Sequence, residues 1–257
     1  IPYLEGGQGE VLVLVHGFGG DKDNFTRMAR FLTPHFRVIQ PDLPGFGDAT
    51  RDPAARYRMS DQVERLHAFL QALGVQKVIL GGNSMGGFIA CEYAARFPEQ
   101  VKALWLLDAA GTAAAHDSPM LRHYLATGDS PLLLRRQADV AKLIRATMAR
   151  PSYFPGFLKR TLGARAIADY PLHCEIFKDL SQHSPMLETR HTTWPTPALI
   201  VWGAEDAILN PAAARTQERL FPRHKTIVMQ GIGHLPMLEA PAQTAQDFLE
   251  FASTLSA

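Results

Sequence analysis

Six short runs set what this chain can fold into: VLVLV at 11–15, RVIQ at 37–40, KVIL at 77–80, VKALWLL at 101–107, ALIVW at 198–202 and TIVM at 226–229. They are rich in Val, Ile and Leu and do not alternate cleanly with polar residues, as expected of strands buried on both faces of a parallel sheet. Helical patterns separate several of them. In SDQVERLHAFLQALG, Val63, Leu66, Phe69, Leu70 and Leu73 mark one face, Ser60 or Asp61 is placed to cap the start, and Gly74 to close the end. Alternating strands and helices with right-handed crossovers predict an α/β fold with a doubly wound, mostly parallel sheet. At 257 residues and 46% hydrophobic, the chain can bury one large core.

The order breaks between Leu107 and Ala198, where helix-like segments occur without a convincing buried strand. That span is far beyond an ordinary connection, so a small helical cap is expected there. Its apolar residues, among them Met120, Leu121, Leu132, Phe154, Phe157, Phe177 and Met186, are expected to line a pocket.

Charge and cysteine content remove several function classes. The formal net charge is +1, from 26 basic and 25 acidic residues, with no basic stripe, so a nucleic-acid partner is not expected. The two cysteines, Cys91 and Cys174, have no CxxC or His/Cys companions, and neither metal nor organic cofactor is expected. No stretch of 18 or more apolar residues is present. The chain as given is therefore read as soluble, in the cytoplasm unless a further segment anchors it. Because it starts IPYLEGG without a methionine, a hydrophobic anchor preceding Ile1 is an expectation, which would associate the protein with a membrane or the cell envelope.

The chemistry-bearing motif is GGNSMGGFIA at 81–90, a serine between glycines at the junction of an apolar run and a helical stretch. Gly82-Asn83-Ser84-Met85-Gly86 has the Gly-x-Ser-x-Gly form of a nucleophile elbow. A serine hydroxyl needs a histidine to take its proton and an acid to orient that histidine. Both follow in the order Ser, Asp, His: GAEDAI puts Asp206 just past one strand, and GIGH puts His234 just past the next. Asp108, directly after VKALWLL, is a rival for the acid; we rank it second, as a residue that hydrogen-bonds locally. Glu205 is expected to point elsewhere and Glu239 to be structural. In VLVLVHGFGG, a tight His-Gly turn would let the N–H of Phe18 join that of Met85 as an oxyanion hole, with His16 stiffening the loop.

With these elements the chain resembles the α/β-hydrolase superfamily over nearly its whole length. HGFGGDKDNF, PDLPGFGD, GGNSMGGFIA, LLDAAG, PTPALIVWGAEDAI and GIGHLPMLEAP are similar to bacterial lipases and carboxylesterases related to membrane-anchored monoacylglycerol lipases. The resemblance implies a nucleophile at Ser84, acid at Asp206, base at His234 and oxyanion donors at Phe18 and Met85. It further implies a core of 1–111 and 193–257 with a cap of 112–192 over an acyl-ester site. The chain departs from it at the front, where IPYLE supplies at most the tail of one strand. The expected function is serine carboxylic-ester hydrolysis of acyl glycerols, lysophospholipids or similar small-molecule acyl esters. Carbon–carbon bond hydrolysis of ring-cleavage products is the enzyme alternative, weakened by the lack of an arginine beside Asp206. A non-catalytic ligand receptor of the same fold is the alternative from another class.

Overall fold

The computed structural model describes residues 1–151, 155–190 and 193–255. Its strands are β1 (Tyr3–Gly6), β2 (Val11–Val15), β3 (Arg37–Pro41), β4 (Val78–Asn83), β5 (Val101–Leu107), β6 (Ala198–Gly203) and β7 (His224–Met229). Among the described residues they form one seven-stranded sheet in the order β1-β3-β2-β4-β5-β6-β7. β1 pairs antiparallel with β3, and the other neighbours are parallel. All six runs read from the sequence are strands. IPYLEGG adds a short antiparallel edge, with residues alternating between exposed and half-buried.

The helices are α1 (Thr26–Leu32), α2 (Met59–Ala72) and α3 (Met85–Arg96), then α4 (Ala113–His116), α5 (Pro119–Thr127), α6 (Asp139–Thr147), α7 (Gly156–Ala168), α8 (Tyr170–Lys178) and α9 (Leu187–Arg190) between β5 and β6. α10 (Ala213–Leu220), α11 (Pro236–Glu239) and α12 (Pro241–Ser253) follow. α2 starts at Met59, two residues before a helix capped by Ser60 would and three before one capped by Asp61. Asp61 instead lies in the first turn and accepts from the N–H of Arg58 at 3.2 Å, while Gly74 beyond the end takes φ +69°.

Side chains of the central strands split by the two-residue period. Leu12, Leu14, Ile79 and Trp105 enter one core with Phe25 and Met28, and Phe248 of α12 stacks on Trp105 with ring centroids 4.2 Å apart. Val13, Val15, Leu80, Leu104 and Leu106 enter the opposite core, against Phe88 and Ile89 of α3 and Leu66 of α2. Both faces are thus covered, which is why the runs carry so few polar residues.

Chain order reverses between β2 and β4, because β3 lies on one side of β2 and β4 on the other. Ligand sites of open α/β sheets form at the carboxyl ends of strands beside such a switch. The loop after β2, carrying Phe18, and the turn after β4, carrying Ser84, flank it. The helical stretch between β5 and β6 is held over this end by contacts with the core. Arg51 Nε bonds Asp169 at 2.7 Å, Arg165 Nη2 bonds Asp48 at 2.7 Å, and the Leu187 N–H donates to Gly111 O at 2.8 Å. No helix among the described residues is long and apolar enough to cross a membrane.

Candidate active site

Ser84 stands between the last residue of β4 and the first of α3, at φ 55° and ψ −118°. A non-glycine residue in that region costs on the order of 1–3 kcal/mol and persists only when its surroundings fix it. Main-chain contacts fix it here: the Ser84 N–H donates to Leu107 O at 3.0 Å, and Ser84 O accepts from Phe88 and Ala110 N–H groups at 3.1 and 3.0 Å. The flanking glycines are sterically required. A Cβ on Gly82 would lie 2.3 Å from Gly86 C and O, and one on Gly86 would lie 2.1 Å from Val15 O. Because those obstacles are backbone, Gly86→Ala is expected to cost about 2–3 kcal/mol. That corresponds to a drop in Tm of about 4–12 °C, measurable by circular dichroism. An unchanged Tm would show that the elbow has slack.

His234 and Asp206 meet across β6 and β7. His234 Nδ1 lies 2.7 Å from Asp206 Oδ2, and both side chains are buried. Asp206 Oδ1 accepts from the N–H groups of Ile208 and Leu209 at 2.8 and 3.1 Å, so its carboxylate is held by the turn that carries it. The histidine backbone is clamped as well. Asn83 Nδ2 donates to His234 O at 3.0 Å and to Leu107 O at 3.1 Å, while His234 N–H donates to Thr147 O at 2.9 Å. Neither Asn83 nor Thr147 was singled out in the sequence. Asn83 was legible only as a polar residue inside the elbow, and Thr147 gave no signal because it acts through its carbonyl.

Ser84 and His234 line one cavity of about 130 Å³, together with Phe18, Asn24, Leu143 and Leu238. A second, tighter cavity of about 30 Å³ also reaches Ser84, lined by Met120, Leu121, Leu132, Phe177 and Leu180. Phe18, Ser84 and Leu132 line both cavities. The Phe18 ring sits edge-on to Phe177 at 4.9 Å. Met85, the first residue of α3, is buried beside Ser84 and brings the positive end of that helix with it.

His16 does what a loop brace should. Its Nδ1 faces Gly17 O at 2.8 Å and its Nε2 faces the Leu43 N–H at 3.0 Å, which requires the neutral Nδ1–H tautomer. Complete burial holds its pKa down at about 4. Glu205 Oε2 accepts from Ile232 N–H, away from His234. Glu239 accepts from Gly233 and Arg150 N–H groups at 2.8 Å each, a structural role.

Two expectations change. Phe157 is 60% exposed and outside both cavities, because α7 turns its Phe157, Leu158 and Leu162 edge outward; of these only Leu162 reaches a cavity rim. Phe154 lies outside the described residues. Asp108 is also not merely a local hydrogen-bonding residue. It is fully buried at φ 45°, accepts from the Gly203 N–H of the neighbouring strand at 2.8 Å, and shares a cluster with Asp206 and His234 in which one ligand atom from each residue lies within 4.8 Å of the other two. Among the described residues this is the group best placed to hold a cation, but His234 Nδ1 and both Asp206 oxygens are already engaged. Cys91 is a buried core thiol, with burial pushing its pKa up.

A sequence model of the alpha/beta hydrolase fold family matches residues 10–241. Lipase 1 of Psychrobacter immobilis is 38% identical over 261 residues, covering 99% of this chain and 81% of the relative. Monoacylglycerol lipase abhd6-A of Xenopus laevis is 27% identical, covering 97% of this chain and 77% of the relative. A solved membrane phospholipase A, described as a bacterial virulence factor, superposes with a TM-score of 0.95 at 40% identity, covering 99% of this chain and 82% of that one.

Proposed function

The chain belongs to the alpha/beta hydrolase fold family, and from that premise we propose that it hydrolyses carboxylic esters through an acyl-enzyme on Ser84, with acyl glycerols, lysophospholipids or similar lipids as substrates. The chain is an ester hydrolase, as its lipase relatives indicate; the residues and route are the proposal. The observation that carries it is the 2.7 Å contact between His234 Nδ1 and Asp206 Oδ2, with Ser84 and His234 lining one cavity.

In this reading Asp206 fixes the tautomer with the proton on Nδ1, leaving Nε2 of His234 to accept the Ser84 proton. Ser84 Oγ attacks the ester carbonyl, and the oxyanion is held by the N–H groups of Phe18 and Met85. The imidazolium returns its proton to the departing alkoxide, and the alcohol leaves. Water, deprotonated by His234, then attacks the acyl-enzyme and releases the acid. The Phe177-lined space receives the acyl chain and the Leu143-lined space the alcohol, under a cap formed by 112–192. The likeness to a membrane phospholipase A supports action at a lipid surface.

Neither cavity is lined by lysine or arginine among the described residues, which favours neutral esters over the dianionic products of ring cleavage. The direct test is turnover of p-nitrophenyl esters from acetyl to octanoyl. Each CH₂ that fits contributes about 0.8 kcal/mol, roughly fourfold in kcat/KM, until the pocket ends. Leu180→Ala, at the wall of the tighter cavity, is expected to move the preferred length upward by one or two carbons, whereas Phe157→Ala leaves the profile unchanged. A profile shifted by Phe157→Ala and not by Leu180→Ala would place the acyl chain elsewhere.

A further inference from the structure

Asp108 presents a contradiction in hydrogen bonding. Its Oδ1 accepts from the Gly203 N–H, but Oδ2 is buried and has no donor among the described residues, and Asp108 clusters with Asp206 and His234, one ligand atom of each within 4.8 Å of the others. The Asp206 carboxylate offers only acceptors, and its Oδ1 is already engaged by two backbone N–H groups and its Oδ2 by His234. Two ionised carboxylates facing one another in so buried a site would leave acceptor against acceptor. A single proton between them removes both the repulsion and the orphaned oxygen.

We propose that Asp108 is a neutral carboxylic acid that donates its Oδ2 proton to the Asp206 carboxylate and so acts as a positioning residue for the acid of the triad. The backbone supports this assignment. Asp108 and Ser84, on the ends of adjacent strands, are the two described non-glycine residues with positive φ. The Asp108 N–H donates to Val201 O at 2.9 Å, so its unusual conformation is held from β6 on both its backbone and its side chain. The charged or titratable groups facing it are Asp206 and His234 on the loops after β6 and β7, and Glu239 at the end of α11. Burial first, and then the negative charge of Asp206, hold the Asp108 carboxyl well above the usual carboxylate range. At neutral pH the chain His234, Asp206, Asp108 therefore carries one negative charge rather than two. That spares His234 a second carboxylate charge, which would make it a stronger base and a poorer proton donor to the leaving alcohol.

This inference rests on Ser84, Asp206 and His234 acting together, and Ser84→Ala on the same substrate serves as the separate control for that reading. Asparagine mimics a protonated aspartate: its carbonyl can accept from Gly203 N–H while its amide donates to Asp206. Asp108→Ala, which cannot donate, is expected to lower kcat about 10- to 100-fold with little change in KM, the range for losing a hydrogen bond to a charged group. Asp108→Asn is expected to restore kcat to within about threefold of native.

A second measurement covers the case in which the alanine variant does not fold. A carboxyl protonated in the fold but ionised in the unfolded chain makes stability fall as pH rises from about 3.9, the unfolded value, through the raised folded value. Asp108→Asn lacks that slope, so its Tm advantage over native should widen with rising pH. Its kcat profile should also lose any alkaline limb that Asp108 ionisation contributes. An asparagine variant as slow as the alanine one, an alanine variant within about threefold of native, or a Tm difference independent of pH would each overturn the proposal. Retained activity in Ser84→Ala would instead overturn the triad reading.

Discussion

Ser84→Ala and His234→Ala are each expected to lower kcat on a p-nitrophenyl ester by roughly 10⁴- to 10⁶-fold, and the double variant by little more than either alone. In the proposed mechanism the two groups perform one act. Without Oγ there is nothing for His234 to activate, and without Nε2 the Ser84 hydroxyl stays protonated at neutral pH. Both residues line the same cavity, so KM should change far less than kcat. Ser84→Ala should fold normally, because the strained backbone at φ 55° is held by main-chain bonds to Leu107, Phe88 and Ala110 that the substitution leaves in place. Circular dichroism and Tm settle folding, and stopped-time product assays settle the rate. Multiplying losses in the double variant would mean that the two side chains act independently.

Asp206→Asn is expected to cost about 10³- to 10⁴-fold in kcat, more than any change at Asp108. The geometry gives the reason. Oδ1 of Asp206 accepts from the Ile208 and Leu209 N–H groups, so an asparagine must place its carbonyl there and turn its NH₂ toward His234. The imidazole then has to accept at Nδ1 and carry its proton on Nε2, the wrong tautomer for taking a proton from Ser84. Assay of Asp206→Asn beside Asp108→Asn decides the acid assignment. An active Asp206→Asn with a folded, inactive Asp108→Asn would reverse it.

The sheet was legible because strands buried on both faces leave continuous apolar runs, and the elbow because its glycines are forced by backbone contacts under 2.5 Å at Gly82 and Gly86. Asp206 and His234 were legible as a facing pair because each follows a parallel strand, and the carboxyl ends of parallel strands share one edge of the sheet. What the sequence could not give was lateral geometry. LLDAAG placed Asp108 after a strand, but only the order β5-β6-β7 puts that strand end beside Asp206 and His234. The outward turn of Phe157 was hidden for a related reason: α7 carries apolar residues around much of its circumference, so composition does not say which edge meets the core. Asn83 and Thr147 act by bonds to or from the main chain of His234, a role no side-chain pattern announces.

The proposed ester hydrolysis stands or falls on passage of an acyl group through Ser84. Its most direct measurement is intact-mass spectrometry of the protein after reaction with a phosphonate ester that mimics the tetrahedral transition state, followed by peptide mapping. One adduct per chain is expected on the peptide containing Ser84, formed at the rate at which ester turnover is lost and absent in Ser84→Ala. An adduct on another residue, or full esterase activity in a protein whose Ser84 is completely modified, would contradict it.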